Sequence, residues 1–191
     1  MNQSAIAPLR TGIALAVTHP SAGNLGGGGF LVVRFPDGRS TAIDYRETAP
    51  AAATRDMYLD PHGDVVPEKS LVGPLAAGVP GSVAGLAHAH AKYGALPWAD
   101  LLAPSVDLAE KGFTVSRALA ESLENSRSLL ERFPESRRIF LKDGNLWQPG
   151  DRITQPDLAR TLAAIARGGA DAFYRGAIAD LVVAEMQRSG G

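Results

Sequence analysis

The stretch Gly23-Asn24-Leu25-Gly26-Gly27-Gly28-Gly29 constrains this chain more than any other. Four consecutive glycines leave a backbone without Cβ atoms, so another chain segment or a ligand can lie directly against it. A phosphate cradle would need a Lys-Ser or Lys-Thr pair and then a helix whose N-terminus faces the anion. Here a strand follows instead, which also rules out a dinucleotide-binding turn. Phe30-Leu31-Val32-Val33-Arg34-Phe35 and Ser40-Thr41-Ala42-Ile43-Asp44-Tyr45 both read as strands, and Pro36-Asp37-Gly38-Arg39 between them carries the Asp-Gly turn signal. The spacing predicts a β-hairpin, fed by the glycine run and leaving at Arg46.

The remainder divides into two textures. Residues 13–81 are rich in Gly, Pro and β-branched residues, and 54–81 read as a long irregular segment broken by Pro61, Gly63, Pro67, Gly73, Pro74, Gly78, Pro80 and Gly81. Residues 82–191 are helical in pattern. Ser82 is read as the cap of a helix to about Tyr93, stopped by Gly94. Ala99 to Lys111 carries Leu101, Leu102, Val106 and Ala109 at helical spacing and ends at Gly112. A helix is expected from Ser116 to about Arg132, bounded by Pro134. Another is expected over Gln155–Arg167, capped by Thr154, with Pro156 in its first turn. A last one, Ala170 to Arg188, would place Phe173, Ile178, Leu181, Val182 and Met186 on one face.

Composition narrows function. The chain has 191 residues, 45% of them apolar, enough for one domain or part of a larger one with a real core. The net charge is -1, with pI ≈ 6.4 and scattered Lys and Arg, which offers nothing to nucleic acid or to a membrane surface. There are no cysteines, which excludes disulfides, thiolate metal sites and a cysteine nucleophile. Met1–Arg10 lacks the basic start and apolar run of a signal peptide, and Ile13–Val17 is too short to span a bilayer.

Few side chains form a chemical constellation. His88 and His90 are two apart on a helix and point about 200° apart, so they cannot share a metal; with His19 and His62 in loops, no metal site and no cofactor are expected. Gly81-Ser82-Val83 resembles a nucleophile elbow only superficially, because Pro80 and Ala84 stand where that motif needs glycine. Trp98 and Trp147 are expected to anchor loops to the core. Asp44, Arg46 and Glu47 form the remaining cluster. Arg46, at a strand exit beside the glycine run, could hold a substrate carboxylate in its planar fork of donors, or could pair structurally with Asp44 or Glu47.

These motifs, in order, resemble the γ-glutamyltransferase family. Thr18 to Phe30 is similar to its glycine-rich segment, and Asp44-Tyr45-Arg46-Glu47-Thr48-Ala49-Pro50-Ala51 to its Arg-Glu-x-Ala-Pro motif. Thr54-Arg55-Asp56-Met57-Tyr58-Leu59, Gly78-Val79-Pro80-Gly81-Ser82-Val83-Ala84-Gly85, Lys92-Tyr93-Gly94, Ala109-Glu110-Lys111-Gly112-Phe113 and Phe173-Tyr174-Arg175-Gly176 follow in sequence. The resemblance implies an α+β chain with a partial αββα N-terminal-nucleophile hydrolase fold, a β-hairpin near the N-terminus followed by a helix-rich segment. Residues 1–191 would be part of a large-subunit domain, with a strand and loop region at 13–81 and a helical region at 82–191.

The family's precursor cleaves itself, and the new N-terminal threonine of the small subunit attacks the γ-glutamyl bond of glutathione. The acyl group then passes to water or to an amino acid or peptide. By the same resemblance Arg46 binds the substrate α-carboxylate, with Asp44 and Glu47 as supporting groups, and the full-length enzyme is periplasmic. The small-subunit opening Thr-His-x-Ser is matched only by Thr18-His19-Pro20-Ser21, inside the glycine-rich landmark. Met1–Arg10 does not resemble the family's upstream helix or export signal. The chain is therefore expected to be a fragment without the catalytic nucleophile, inactive and aggregation-prone alone. A cephalosporin-type acylase of the same superfamily and a non-catalytic binding or assembly protein are the alternatives.

Overall fold

A larger and a smaller apolar cluster decide how the helices pack. The structure is a computed structural model and describes residues 6–142 and 144–191. Its elements in chain order are α1 (Ile6–Thr18), β1 (Phe30–Arg34), β2 (Ser40–Asp44), 3-10 turns at Pro67–Ser70 and Pro74–Ala76, α2 (Ser82–Tyr93), α3 (Trp98–Lys111), β3 (Phe113–Thr114), α4 (Arg117–Asn125), α5 (Arg127–Leu130), α6 (Pro134–Phe140), β4 (Arg152–Ile153), α7 (Pro156–Gly168), α8 (Asp171–Tyr174) and α9 (Ala177–Ser189). β1 pairs antiparallel with β2, and β3 with β4, as separate two-stranded sheets.

The larger core joins α1, α2, α3 and α7. Leu9, Ile13 and Val17 recur on one face of α1 and meet Leu101, Leu102 and Ala109 of α3, Leu162 and Ile165 of α7, and Val83, Leu86 and Ala89 of α2. Each large aliphatic side chain buried here stabilises the fold by about 1.5–3 kcal/mol relative to exposure. The Trp98 indole N–H donates to the Ile165 carbonyl at 3.0 Å, fixing the start of α3 against α7. The smaller cluster, Val115, Leu119, Ala120, Leu123 and Ile153, lies beneath the β3–β4 pair and α4.

Helix α1 was not anticipated upstream of the glycines. The sequence shows there only the short run 13–17, and the amphipathic period emerges once Leu9 is counted with it. The long irregular segment was anticipated, and holds the two 3-10 turns with isolated bridges at Leu59↔Val65 and, to the strand exit, at Val79↔Thr48.

Several helix ends differ from expectation for identifiable reasons. Ser82 does not cap α2: Gly81 holds the N-cap position, and Ser82 is buried as the first helical residue. Thr154 does not cap α7; Gln155 precedes it and sends its side-chain amide to the Val17 carbonyl at 2.8 Å, closing the C-terminal turn of α1. Ser116 does cap α4, its hydroxyl accepting from Leu119 N–H at 3.1 Å, but the helix stops at Asn125 and restarts as α5. The expected helix 170–188 is interrupted by Arg175 and by Gly176, whose φ of 78° lies in the left-handed region.

Helix α3 contains Pro104 in its interior, which removes the N–H that would satisfy the Asp100 carbonyl. Arg10 of α1 fills that gap, donating from Nη2 to Asp100 O at 3.2 Å. An element that would be weakened alone is thus completed by the helix packed beside it.

Candidate functional site

The hairpin forms as the sequence predicts, in the register Phe30↔Asp44, Leu31↔Ile43, Val32↔Ala42, Val33↔Thr41 and Arg34↔Ser40. Leu31 and Ile43 face the large core, while Phe30, Val32 and Asp44 stand on the opposite, exposed face. The ladder continues past the strands, because Tyr45 N–H donates to Gly29 O at 2.9 Å and Gly29 N–H to Tyr45 O at 3.4 Å.

The glycine run is a close-approach corner for the chain itself. A Cβ on Gly28 would lie 2.6 Å from the Tyr45 carbonyl and 2.8 Å from the Arg46 Cα. From the other side, Gly81 and Ser82 N–H both donate to Gly27 O at 2.9 Å, and a side chain on Gly81 would collide with the Tyr45 carbonyl. Thr48 and Val79 exchange N–H···O bonds of 3.2 and 2.8 Å. The strand exit 45–48 is therefore gripped between the glycine run and the 78–85 segment. The α2 N-terminus is not an anion site: Gly27 O takes its first donors, and Ala84 N–H donates to the Tyr174 hydroxyl at 3.1 Å.

Arg46, Asp44 and Glu47 are brought to this gripped exit but do not pair with one another. Among the described residues the Arg46 guanidinium makes no ion pair; it lies over the Phe30 ring, 5.9 Å from its centroid. The Asp44 carboxylate instead accepts the Arg46 backbone N–H at 3.0 Å. Glu47 lines a cleft of about 230 Å³ with Tyr45, Asn24, Gly27, Gly28 and Ser82, against α1. The structural ion pair weighed from the sequence is thus not formed, and the Arg46 guanidinium is exposed beside the Phe30 ring.

Two tyrosines that sequence reasoning passed over complete the support. The Tyr45 ring packs against Gly85, and burial raises its pKa. Burial also raises that of Tyr174, whose hydroxyl donates to Pro80 O at 2.9 Å while accepting from Ala84. The hydroxyl thus braces the 80–84 segment from the far end of the chain. Phe173-Tyr174-Arg175-Gly176 is visible as a landmark, but nothing local signals a contact across 94 positions. Of the histidines, His90 has Nε2 2.7 Å from Leu96 O and its ring against Trp98. Among the described residues no cluster of acidic or histidine side chains is arranged to hold a metal, and no helix is long and apolar enough to cross a membrane.

Hairpin, gripped exit and helical layer make a helix-rich α+β fold, and its likeness to solved structures places it with the N-terminal-nucleophile hydrolases. The sequence profile described as gamma-glutamyltranspeptidase matches residues 4–191, and the chain belongs to that family. It is 48% identical over 186 residues to the glutathione hydrolase proenzyme of Escherichia coli (strain K12), covering 97% of this chain and 32% of that protein. It superposes on the crystal structure of Helicobacter pylori gamma-glutamyltranspeptidase with a TM-score of 0.95 at 44% identity, covering 98% of this chain and 54% of that one. The cephalosporin acylase of Bacillus halodurans shares the fold at greater distance, with a TM-score of 0.84 and 25% identity over 98% of this chain and 35% of that one. The chain thus spans about a third of the curated relatives it matches and about half of the Helicobacter structure. The α+β fold expected from the motifs, a hairpin followed by a helix-rich segment, is the fold found.

Proposed function

We propose that this chain is part of the large subunit of an enzyme that cleaves the γ-glutamyl bond of glutathione and passes the γ-glutamyl group to water or to an amino acid or peptide. In this reading Arg46 holds the α-carboxylate of the γ-glutamyl group, and Asp44 and Glu47 support it. A threonine at the start of a small subunit, outside these 191 residues, forms the acyl-enzyme. The chain binds and orients substrate and contributes no nucleophile. Residues 13–81 carry the binding arginine, and the helices of 82–191 pack with α1 into the layer behind it.

The observation that carries the reading is the Arg46 guanidinium, exposed, paired with no carboxylate among the described residues, and fixed at its Cα by close backbone packing. A planar guanidinium in that state favours bidentate capture of a carboxylate. Glutathione carries one on its γ-glutamyl moiety, and the similar proteins named above include a glutathione hydrolase proenzyme.

The test is steady-state kinetics of Arg46→Ala in the intact enzyme. Loss of a charge-assisted hydrogen bond worth about 1.5–3 kcal/mol raises KM for glutathione about 10- to 150-fold. Unchanged kinetics would remove Arg46 from the site. Comparing turnover of glutathione with that of a glutaryl-cephalosporin separates this activity from that of an acylase with the same fold.

A further inference from the structure

We infer that Phe30 and Asp44 are positioning residues for the Arg46 guanidinium, one setting the direction of its side chain and the other the backbone from which it springs; the inference rests on the carboxylate-binding role proposed for Arg46.

Phe30 pairs with Asp44, and the Gly29–Tyr45 bonds extend the ladder by one position. The next position sets Arg46 across from Gly28, where the absence of a Cβ lets the Arg46 backbone approach closely, a Cβ there lying 2.8 Å from the Arg46 Cα. In an antiparallel pair the diagonal neighbour is within reach of aromatic and long side chains. Phe30 occupies that diagonal, and the guanidinium lies 5.9 Å from its ring centroid. The ring supplies an electrostatic cradle that leaves the planar fork of N–H donors available, unlike a carboxylate partner, which would consume it.

Phe30 stands on the same hairpin face as Asp44, away from the large core. Asp44 acts one step earlier. Its Oδ1 accepts the Arg46 N–H at 3.0 Å, which fixes the turn at the strand exit without neutralising the guanidinium. Phe30, Asp44 and Arg46 thus form one device, in which backbone and ring aim a free cation.

The experiment measures glutathione kinetics and thermal midpoints of the intact enzyme carrying Phe30→Leu, Phe30→Tyr, Asp44→Ala, Asp44→Asn and Arg46→Ala. An exposed cation–π contact is modest, so Phe30→Leu should raise KM about two- to five-fold with kcat kept, and Phe30→Tyr should restore KM. Asp44→Ala should raise KM, and Asp44→Asn, which keeps the acceptor, should not. If Arg46→Ala raises KM but Phe30→Leu and Asp44→Ala leave it unchanged, the positioning roles are overturned and the arginine reading stands. If Arg46→Ala has no effect on KM, the binding reading itself falls and the inference with it. A loss of kcat and thermal midpoint shared by Phe30→Leu and Phe30→Tyr would mark a merely structural ring and would also overturn the inference.

Discussion

At the scale of single residues, the glycine run shows how one atom type decides an arrangement. Gly26 and Gly28 look equivalent in the sequence, yet a Cβ on Gly26 would meet nothing closer than Asn24 Oδ1 at 3.7 Å, whereas on Gly28 it would press on backbone at 2.6 Å. Backbone cannot rotate aside as a side chain can. Gly28→Ala should therefore cost about 1–3 kcal/mol, as overpacking does, and lower the melting temperature by roughly 2–12 °C. Gly26→Ala should change it by less than about 2 °C, the usual range of a neutral substitution. Melting curves of both variants check the contrast, and equal effects would show that the corner is not gripped as described. For Arg46, the position at the strand exit beside the glycines was legible in the sequence, but its freedom from ion pairing with Asp44 and Glu47 was not. Among the described residues Asp44 accepts only the Arg46 backbone N–H, whereas Asp37 at the same spacing accepts both the Arg39 backbone N–H and its guanidinium, so residue types and spacing alone do not settle whether such a pair forms.

At the scale of elements, the hairpin was fully legible because strand period, turn signal and glycine entry all agree on it. Helix ends were less so. Ser82 and Thr154 have the right side chains for caps, but tertiary packing assigns those places otherwise: Gly27 O takes the first donors of α2, and Gln155 is drawn away to Val17. The split between α8 and α9 was hidden because an apolar face continues across Gly176, while the backbone there does not. Helix α3 shows elements completing one another. Pro104 leaves the Asp100 carbonyl without its helical donor, and Arg10 supplies one. Arg10→Ala should then cost about 0.5–1.5 kcal/mol in the parent chain and much less beside Pro104→Ala, which returns an N–H to the helix. A double-mutant cycle followed by denaturant unfolding measures the coupling, and a coupling of zero would mean that the Arg10 contact contributes nothing to α3.

At the scale of the whole molecule, burial and charge set how the 191-residue chain behaves. Leu181, Val182 and Val183 of α9 are exposed at 72%, 42% and 53%, and Val32 on the open hairpin face at 74%. With a net charge of only -1, little repulsion keeps such surfaces apart. Expressed alone, the chain should self-associate in light scattering, and Leu181→Lys with Val183→Glu should reduce it; a monodisperse parent chain would contradict this. Acid should act separately, through stability. The Asp151 carboxyl is held below the usual carboxylate range, first by the Gln148 N–H at 3.0 Å and then by the Lys142 ammonium at 3.2 Å. Asp157 is lowered first by its hydrogen bond from Arg138 at 2.9 Å, with Arg160 adding to it, and Glu185 by Arg188. A carboxyl whose folded pKa is depressed binds fewer protons than in the unfolded chain, so it stabilises the fold above the unfolded value, about 4, and loses that contribution as pH falls through the folded one. The melting temperature should therefore hold near neutrality and decline once pH drops below about 4. Asp151→Asn keeps an acceptor for Gln148 but cannot titrate, so its decline in acid should be shallower than the parent's. Melting curves across that range decide it: parallel slopes for parent and variant would mean that acid acts through other carboxylates.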